Sequence, residues 1–224
     1  MNMLATARLE RFAVVTFDAD PAALGRLLPH GVEVDLPVVS AVAYRYVGLG
    51  LRGLPIPRLS GDQVHLRAYV RVGDERGVWF LRTVQDSALA TLPRRLWGMP
   101  WTRGRVRIDA PGSDRVRVAA DGIDLAVEAG PDGAPAPPQE VASATVGWFA
   151  GRGGVRRFSV AFDDGVVPGH AERARVAEFE ALGLVRPGQP AQSALRHPDT
   201  EITIHLPPRI SRGRTRRGPS ARGR

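Results

Sequence analysis

Residues 63–72, QVHLRAYVRV, alternate without a break. Val64, Leu66, Ala68, Val70 and Val72 take one parity, and His65, Arg67, Tyr69 and Arg71 take the other. A period of two over this length is a β-strand with one wholly apolar face. The opposite face carries an imidazole, two guanidinium groups and a phenol. Residues 73–77 read as a turn and residues 78–84 as the returning hairpin partner. The chain must therefore fold around a sheet that buries at least one side of this hairpin.

The rest of the sequence supplies more short strands. Residues 9–17 (LERFAVVTF) and 38–47 read as strands upstream. Between them Asp20-Pro21 opens a helix, with Asp20 as N-cap, Pro21 at the first helical position and Leu24, Leu27 and Leu28 as its apolar face. Residues 48–60, rich in Gly and Pro, read as a loop, and residues 87–97 as a short helix. Residues 103–108, 114–119 and 123–129 are three short strands between Pro, Gly and Asp turns. Residues 134–138 form a proline-rich loop, and residues 140–150, without a clear period, lean towards helix. Residues 155–162 read as a strand, and 170–182 as an amphipathic helix with Ala174, Ala177, Phe179 and Leu182. Residues 201–206 form a last strand, stopped by Pro207-Pro208. Many short strands with a few inserted helices predict a β-rich α+β fold, a curved antiparallel sheet or barrel in a single domain over 1–208.

The chain has 224 residues, of which 43% are hydrophobic, enough for one sizeable core. Its net charge of +8 suggests nucleic acid, but seven arginines lie in residues 209–224 without an acid. Removing them leaves 24 basic against 23 acidic residues, so the body is nearly neutral. The tail has too little apolar surface to order itself and reads as disordered. It offers weak charge attraction to nucleic acid at most. No stretch approaches the roughly 18–20 apolar residues of a membrane helix, and the N-terminus has no signal-peptide pattern. The expectation is a cytoplasmic protein with no membrane partner. There is no cysteine, so thiolate catalysis, disulfides and Cys-ligated zinc are excluded. All 31 basic residues are arginine. Without lysine, no side chain can form a Schiff base with a carbonyl substrate.

The segment Arg94-Arg95-Leu96-Trp97-Gly98-Met99-Pro100-Trp101 resembles the Arg-Glu-x-Trp-Gly-x-Pro-Lys-Lys run of acetoacetate decarboxylases. The preceding hairpin, residues 73–86, and the strand–helix unit around Thr16-Phe17-Asp18-Ala19-Asp20-Pro21 resemble theirs too. Leu28-Pro29-x-Gly31, Arg67-Ala68-Tyr69-Val70 and Gly77-Val78-Trp79-Phe80 further resemble the YqjF-like branch of that superfamily. The likeness covers residues 9–108. It implies an acetoacetate decarboxylase-like barrel and departs from the family at its chemical centre. The family's Schiff-base lysine falls at Trp101 and the second lysine, which activates the first, at Thr102. The glutamate after the family's arginine becomes Arg95, and a pocket carboxylate falls near His65. The resemblance thus excludes the namesake reaction. The superfamily's habit, with exposed β edges, implies a homo-oligomer.

The residues left in place of that centre define a candidate site. His65, Arg67 and Tyr69 on one strand face would line the barrel mouth with Arg95, Trp97, Trp101 and Arg103. Arginine beside aromatic rings suits a small carboxylate on an apolar body. His65 is the candidate acid/base, because its ordinary pKa lies nearest neutrality. The competing reading is a non-catalytic binding or scaffold protein in which Trp101 fills the old pocket and Arg67 and Tyr69 form a solvated face. The five histidines show no metal-ligand spacing, so neither metal nor cofactor is expected. Asp163-Asp164-Gly165 lacks the remaining calcium ligands, and Gly151–Gly154 lacks a phosphate-loop frame.

Overall fold

The fold is given by a computed structural model, which describes residues 3–53, 57–87, 91–110, 115–130, 141, 145–162, 165, 167–197 and 199–210. In chain order the elements are β1 (Met3–Asp18), α1 (Pro21–Leu27), β2 (Glu33–Leu51), β3 (Leu59–Val72), β4 (Glu75–Gln85) and α2 (Thr91–Trp97). They continue with β5 (Trp101–Arg103), β6 (Val106–Asp109), β7 (Arg115–Ala120), β8 (Ile123–Ala129), β9 (Val146–Gly151) and β10 (Gly154–Phe162). The last are β11 (Val167–Val176), α3 (Ala177–Ala181), β12 (Ser193–His197), β13 (Thr200–Leu206) and β14 (Arg209–Ile210).

Seven strands close into a barrel in the order β1-β2-β3-β4-β9-β10-β13, with β13 returning to β1. Every pairing in the ring is antiparallel except β4 with β9, so the barrel is mixed. The ring closes because β1 changes partner halfway along. Met3 to Leu9 pair with β13, whereas Phe12 to Thr16 pair with β12. The switch falls at a bulge between Glu10 and Ala13, where Arg11 has φ 54. The bulge also swaps the parity of β1. Ala7 and Leu9 face the lumen before it, and Phe12 and Val14 after it. Arg11 itself reaches outward and donates from Nη1 to the carbonyl oxygen of Ile108 at 2.7 Å.

Beyond β12 the sheet continues through β11, β8, β7 and β6 and folds back over the barrel wall. The main core lies between the two layers. Ala13, Val15, Ala41, Ala43, Val64, Leu66 and Ala68 from the barrel meet Ile108, Val116, Val118, Leu125 and Val127 from the outer sheet. Helices α1 and α3 seal its edge with Leu24 and Phe179. Asp20 caps α1 as the sequence predicts, accepting from the backbone N–H groups of Ala22 and Ala23.

Several elements differ from the sequence expectation. The segment expected as a helix over 170–182 is mostly strand β11, with helix only at Ala177–Ala181. Pairing along β8 satisfies more backbone than an isolated helical turn could, and places His170, Arg173 and Arg175 on solvent. Of residues 140–150, which lean towards helix, Val141 is helical, whereas residues 146–150 are strand in β9, whose Trp148 is wholly buried in the main core. The expected loop over 48–60 is shorter, because β2 runs on to Leu51 and β3 begins at Leu59. The proline-rich loop at 134–138 lies outside the described residues, as does the arginine tail from 211 onward. Arg209 and Ile210 belong to β14, paired to β10.

Two strands approach so closely that only glycine fits. A Cβ on Gly77 of β4 would lie 2.4 Å from the Val146 carbonyl oxygen and 2.7 Å from the Trp148 ring. Backbone on one side and a packed indole on the other cannot give way. Gly77→Ala should therefore destabilise the protein by about 1–3 kcal/mol, the usual range for overpacking, read as a lower midpoint in urea unfolding.

Candidate functional site

The register across β2, β3 and β4 builds the lumen row by row. Val42, His65 and Thr83 are neighbours, as are Ser40, Arg67 and Phe80, and Tyr44, Gln63 and Gln85. A bulge at Leu81 lets Phe80 and Thr83, three residues apart, both face inward. His65, Arg67 and Tyr69 of the polar face of β3 therefore line the inside of the barrel, Tyr69 being only 2% exposed, whereas Arg71 at the strand's end is on the surface, paired with Glu33.

The two faces of these strands differ in accessibility, opposite to the naive expectation for a barrel. The outward residues Ala41, Ala43, Val64, Leu66 and Ala68 are fully buried under the outer sheet. The inward residues Phe12, Tyr44, Arg67 and Phe80 keep partial exposure. Solvent-accessible surface thus remains on these inward residues.

His65 is enclosed on every polar edge. Its Nε2 lies 2.5 Å from Tyr44 Oη and 3.1 Å from Gln63 Nε2, and its Nδ1 lies 2.9 Å from Thr83 Oγ1. The Phe80 ring packs edge-on at 4.9 Å. Burial, assisted by the Arg67 charge, pushes its pKa down to about 3, so the imidazole is neutral. In the neutral ring one nitrogen donates and the other accepts: either Nδ1–H donates to Thr83 Oγ1 while Nε2 accepts, or the Thr83 O–H donates to Nδ1 while Nε2–H donates. Tyr44 stacks on Phe12 at 5.7 Å, and burial pushes its phenol well above the ordinary range.

One row away is Arg67. Its Nε donates to Ser40 Oγ at 3.0 Å, and its Nη2 contacts Tyr69 Oη and the Val141 carbonyl oxygen, both at 3.4 Å. Ser40 and Tyr69 hydroxyls are themselves bonded at 3.0 Å. All these partners are neutral. No carboxylate among the described residues pairs with Arg67, and Nη1 donates to none of the partners named.

The Trp-Gly-Met-Pro turn closes one end of the lumen. Gly98 has φ 74, and a Cβ there would meet the Arg152 nitrogen at 2.9 Å, so the turn presses directly on the β9–β10 hairpin. The Pro100 carbonyl accepts from Thr83 N–H at 2.8 Å, and β5 then pairs Trp101 beside Thr83. Trp97 and Trp101, both half-buried, pack with Phe80 around Met99, Phe149 and Phe158.

The sequence-derived candidates therefore divide. His65, Arg67 and Tyr69 share the lumen, with Trp97 and Trp101 at its end. Arg95 lies exposed on α2. Arg103 is also exposed and lines an open outer cleft with Asp86, Arg105, Arg107 and Asp121. Neither joins the His65 and Arg67 cluster. Sequence reasoning missed Tyr44, Ser40, Gln63 and Thr83. The signal was present in residues 38–46, VVSAVAYRY, where Ser40, Tyr44 and Tyr46 share the parity of Val38 and Val42.

A seven-stranded mixed barrel with an outer sheet and a Trp-Gly-Met-Pro turn is the acetoacetate decarboxylase-like fold, and solved structures agree. The enduracididine biosynthesis enzyme MppR complexed with pyruvate superposes with TM-score 0.68 at 14% identity, over 94% of this chain and 90% of that one. Acetoacetate decarboxylase from Legionella pneumophila gives 0.64 at 15%, over 94% and 86%. An acetoacetate decarboxylase-like enzyme from Sphingomonas wittichii RW1 gives 0.64 at 14%, over 91% and 90%. Residues 6–153 match the DUF2071 family, described as an uncharacterized conserved protein, and the chain belongs to that family. No curated protein matches the chain by sequence.

The neutral His65 has a measurable signature. The unfolded chain protonates this histidine near its ordinary value of 6.5, the folded chain only near 3. Between those values the unfolded state binds the extra proton. The His65 contribution to stability is therefore intact above pH 6.5 and declines as pH falls towards 3, by up to about 1.4 kcal/mol per pH unit. Urea midpoints measured from pH 7 to pH 4 should fall less steeply in His65→Gln than in the wild type.

Proposed function

We propose that the barrel lumen binds a small organic acid, seating its carboxylate on Arg67, and that any transformation there proceeds without Schiff-base chemistry. The observation that carries this reading is a half-buried guanidinium whose partners among the described residues are all neutral. Taking such a charge out of water without a counter-ion is costly, and an anionic ligand would offset that cost. Ser40 and Tyr69 hold the Nε and Nη2 side of the group, which leaves Nη1 to face an incoming anion. Phe12, Tyr44 and Phe80 supply apolar surface for the body of the ligand. MppR, of the same fold, is seen complexed with pyruvate, a small carboxylic acid.

His65 does not fit a simple acid/base role at neutral pH, since both ring nitrogens are engaged and the ring stays uncharged. A second reading, a non-catalytic binding protein, draws support from the Trp101–Met99–Phe149–Phe158 packing that fills one end of the lumen. Both readings share the Arg67 seat.

A thermal-shift series with acetate, butanoate and benzoate tests it. Stabilisation should saturate with concentration and reach about 2.7 kcal/mol at a hundredfold excess over Kd. Arg67→Gln, which keeps a polar side chain beside Ser40, should abolish the shift with its near-UV circular dichroism unchanged. An equal shift in the variant would sink the proposal.

A further inference from the structure

We infer that the end of the barrel formed by α2, the β9–β10 turn and β14 is a footing for an anionic lipid bilayer. Leu92, Leu96 and Ile210 enter the headgroup boundary, and Arg94, Arg95 and Arg152 meet the lipid phosphates around them. This surface lies outside the lumen and does not depend on the Arg67 seat.

Three stretches of sequence without a carboxylate meet there: residues 87–108, 141–162 and 202–224. The contacts that join them are direct. The Arg152 N–H donates to the Trp97 carbonyl oxygen at 3.2 Å, which fixes the end of α2 on the turn. Arg156 donates from Nε and Nη2 to the Arg152 carbonyl oxygen and from Nη1 to that of Pro208, which fixes β14 beside the same turn. A Cβ on Gly153 would lie 3.8 Å from Ile210 Cδ1, so Ile210 sits over the turn. Arg94, Arg95 and Arg152 are exposed and pair with no carboxylate among the described residues. Glu75, on the flank of β10, is already engaged by Arg157. The seven arginines of residues 209–224 begin in β14 and add charge of the same sign.

Charge alone would suit any polyanion, and the apolar residues choose among them. Leu92 and Leu96 are one helical turn apart, with Arg95 on the same face, and are 51% and 52% exposed. Ile210 is 52% exposed. A single-stranded nucleic acid binds by stacking on open rings, whereas Trp97 and Trp101 are half-buried against Met99 and Phe149. A second copy would set arginine against arginine. A bilayer takes both chemistries: apolar side chains enter the acyl boundary while guanidinium groups stay with the headgroup phosphates. The expectation of no membrane partner rests on the lack of a spanning segment, which an interfacial footing does not need.

Flotation of the full chain with vesicles is the test. The wild type should float with phosphatidylcholine–phosphatidylserine vesicles and not with phosphatidylcholine alone, and added salt should weaken the binding. Leu92→Gln with Leu96→Gln should lower partitioning about tenfold, with near-UV circular dichroism unchanged. Arg94→Gln, Arg95→Gln and Arg152→Gln together should lower it about a hundredfold. No flotation with anionic vesicles overturns the inference. Without flotation, oligonucleotide binding would assign this end to nucleic acid, and a dimer that the leucine variant dissolves would assign it to a second copy. Wild-type partitioning in the leucine variant also overturns it, because the arginines would then act by charge alone. Should the leucine variant fail to fold, lipids brominated near the headgroup decide in the wild type. They should quench Trp97 and Trp101, and unquenched fluorescence rejects the footing.

Discussion

The barrel depends on a single strand serving two sheets. Strand β1 gives its first half to β13 and its second half to β12, and one extra residue at the Arg11 bulge separates the two. Without that bulge the parity of β1 would continue unchanged, and either Leu9 or Phe12 would face the wrong core. With it, Leu9 joins the barrel end near Tyr46, and Phe12 turns to stack on Tyr44. The same irregularity that closes the ring therefore also furnishes an aromatic wall of the lumen. Arg11, displaced outward, ties the bulge to β6 through the Ile108 carbonyl.

Inside the ring, two strongly polar groups reach different solutions to burial. His65 escapes the cost by staying neutral and spending each nitrogen on a neighbour. Arginine has no such escape, because its guanidinium remains protonated. Arg67 accordingly sits where surface remains accessible, held by two hydroxyls and a carbonyl. The contrast is the electrostatic content of the site: one cation without a described carboxylate, beside a network that carries no charge.

Much of this was legible in the chain itself. The alternation of residues 63–72 placed His65, Arg67 and Tyr69 on one face, and the Trp-Gly-Met-Pro turn pointed to the fold. What alternation could not say was which face is outside, because a second sheet covers the apolar face and turns the polar one inward. Residues 170–176 have apolar positions compatible with helix or strand, and only pairing to β8 decides between them. Arg95 and Arg103 stood near Trp101 in sequence, yet a short helix and a three-residue strand carry them to the surface. Tyr44 was missed because its partner, His65, lies 21 residues away, and only the β2–β3 register brings them together.

The pleat of β3 assigns its residues to two separate tasks. Even-numbered side chains belong to the interlayer core, where Val64, Leu66 and Ala68 have no freedom to change size. The odd-numbered Gln63, His65, Arg67 and Tyr69 answer to the lumen. A chain with this division can exchange the chemistry of its interior one residue in two while its outer seam stays intact. In this protein that interior face carries an arginine two residues from a charge-free histidine.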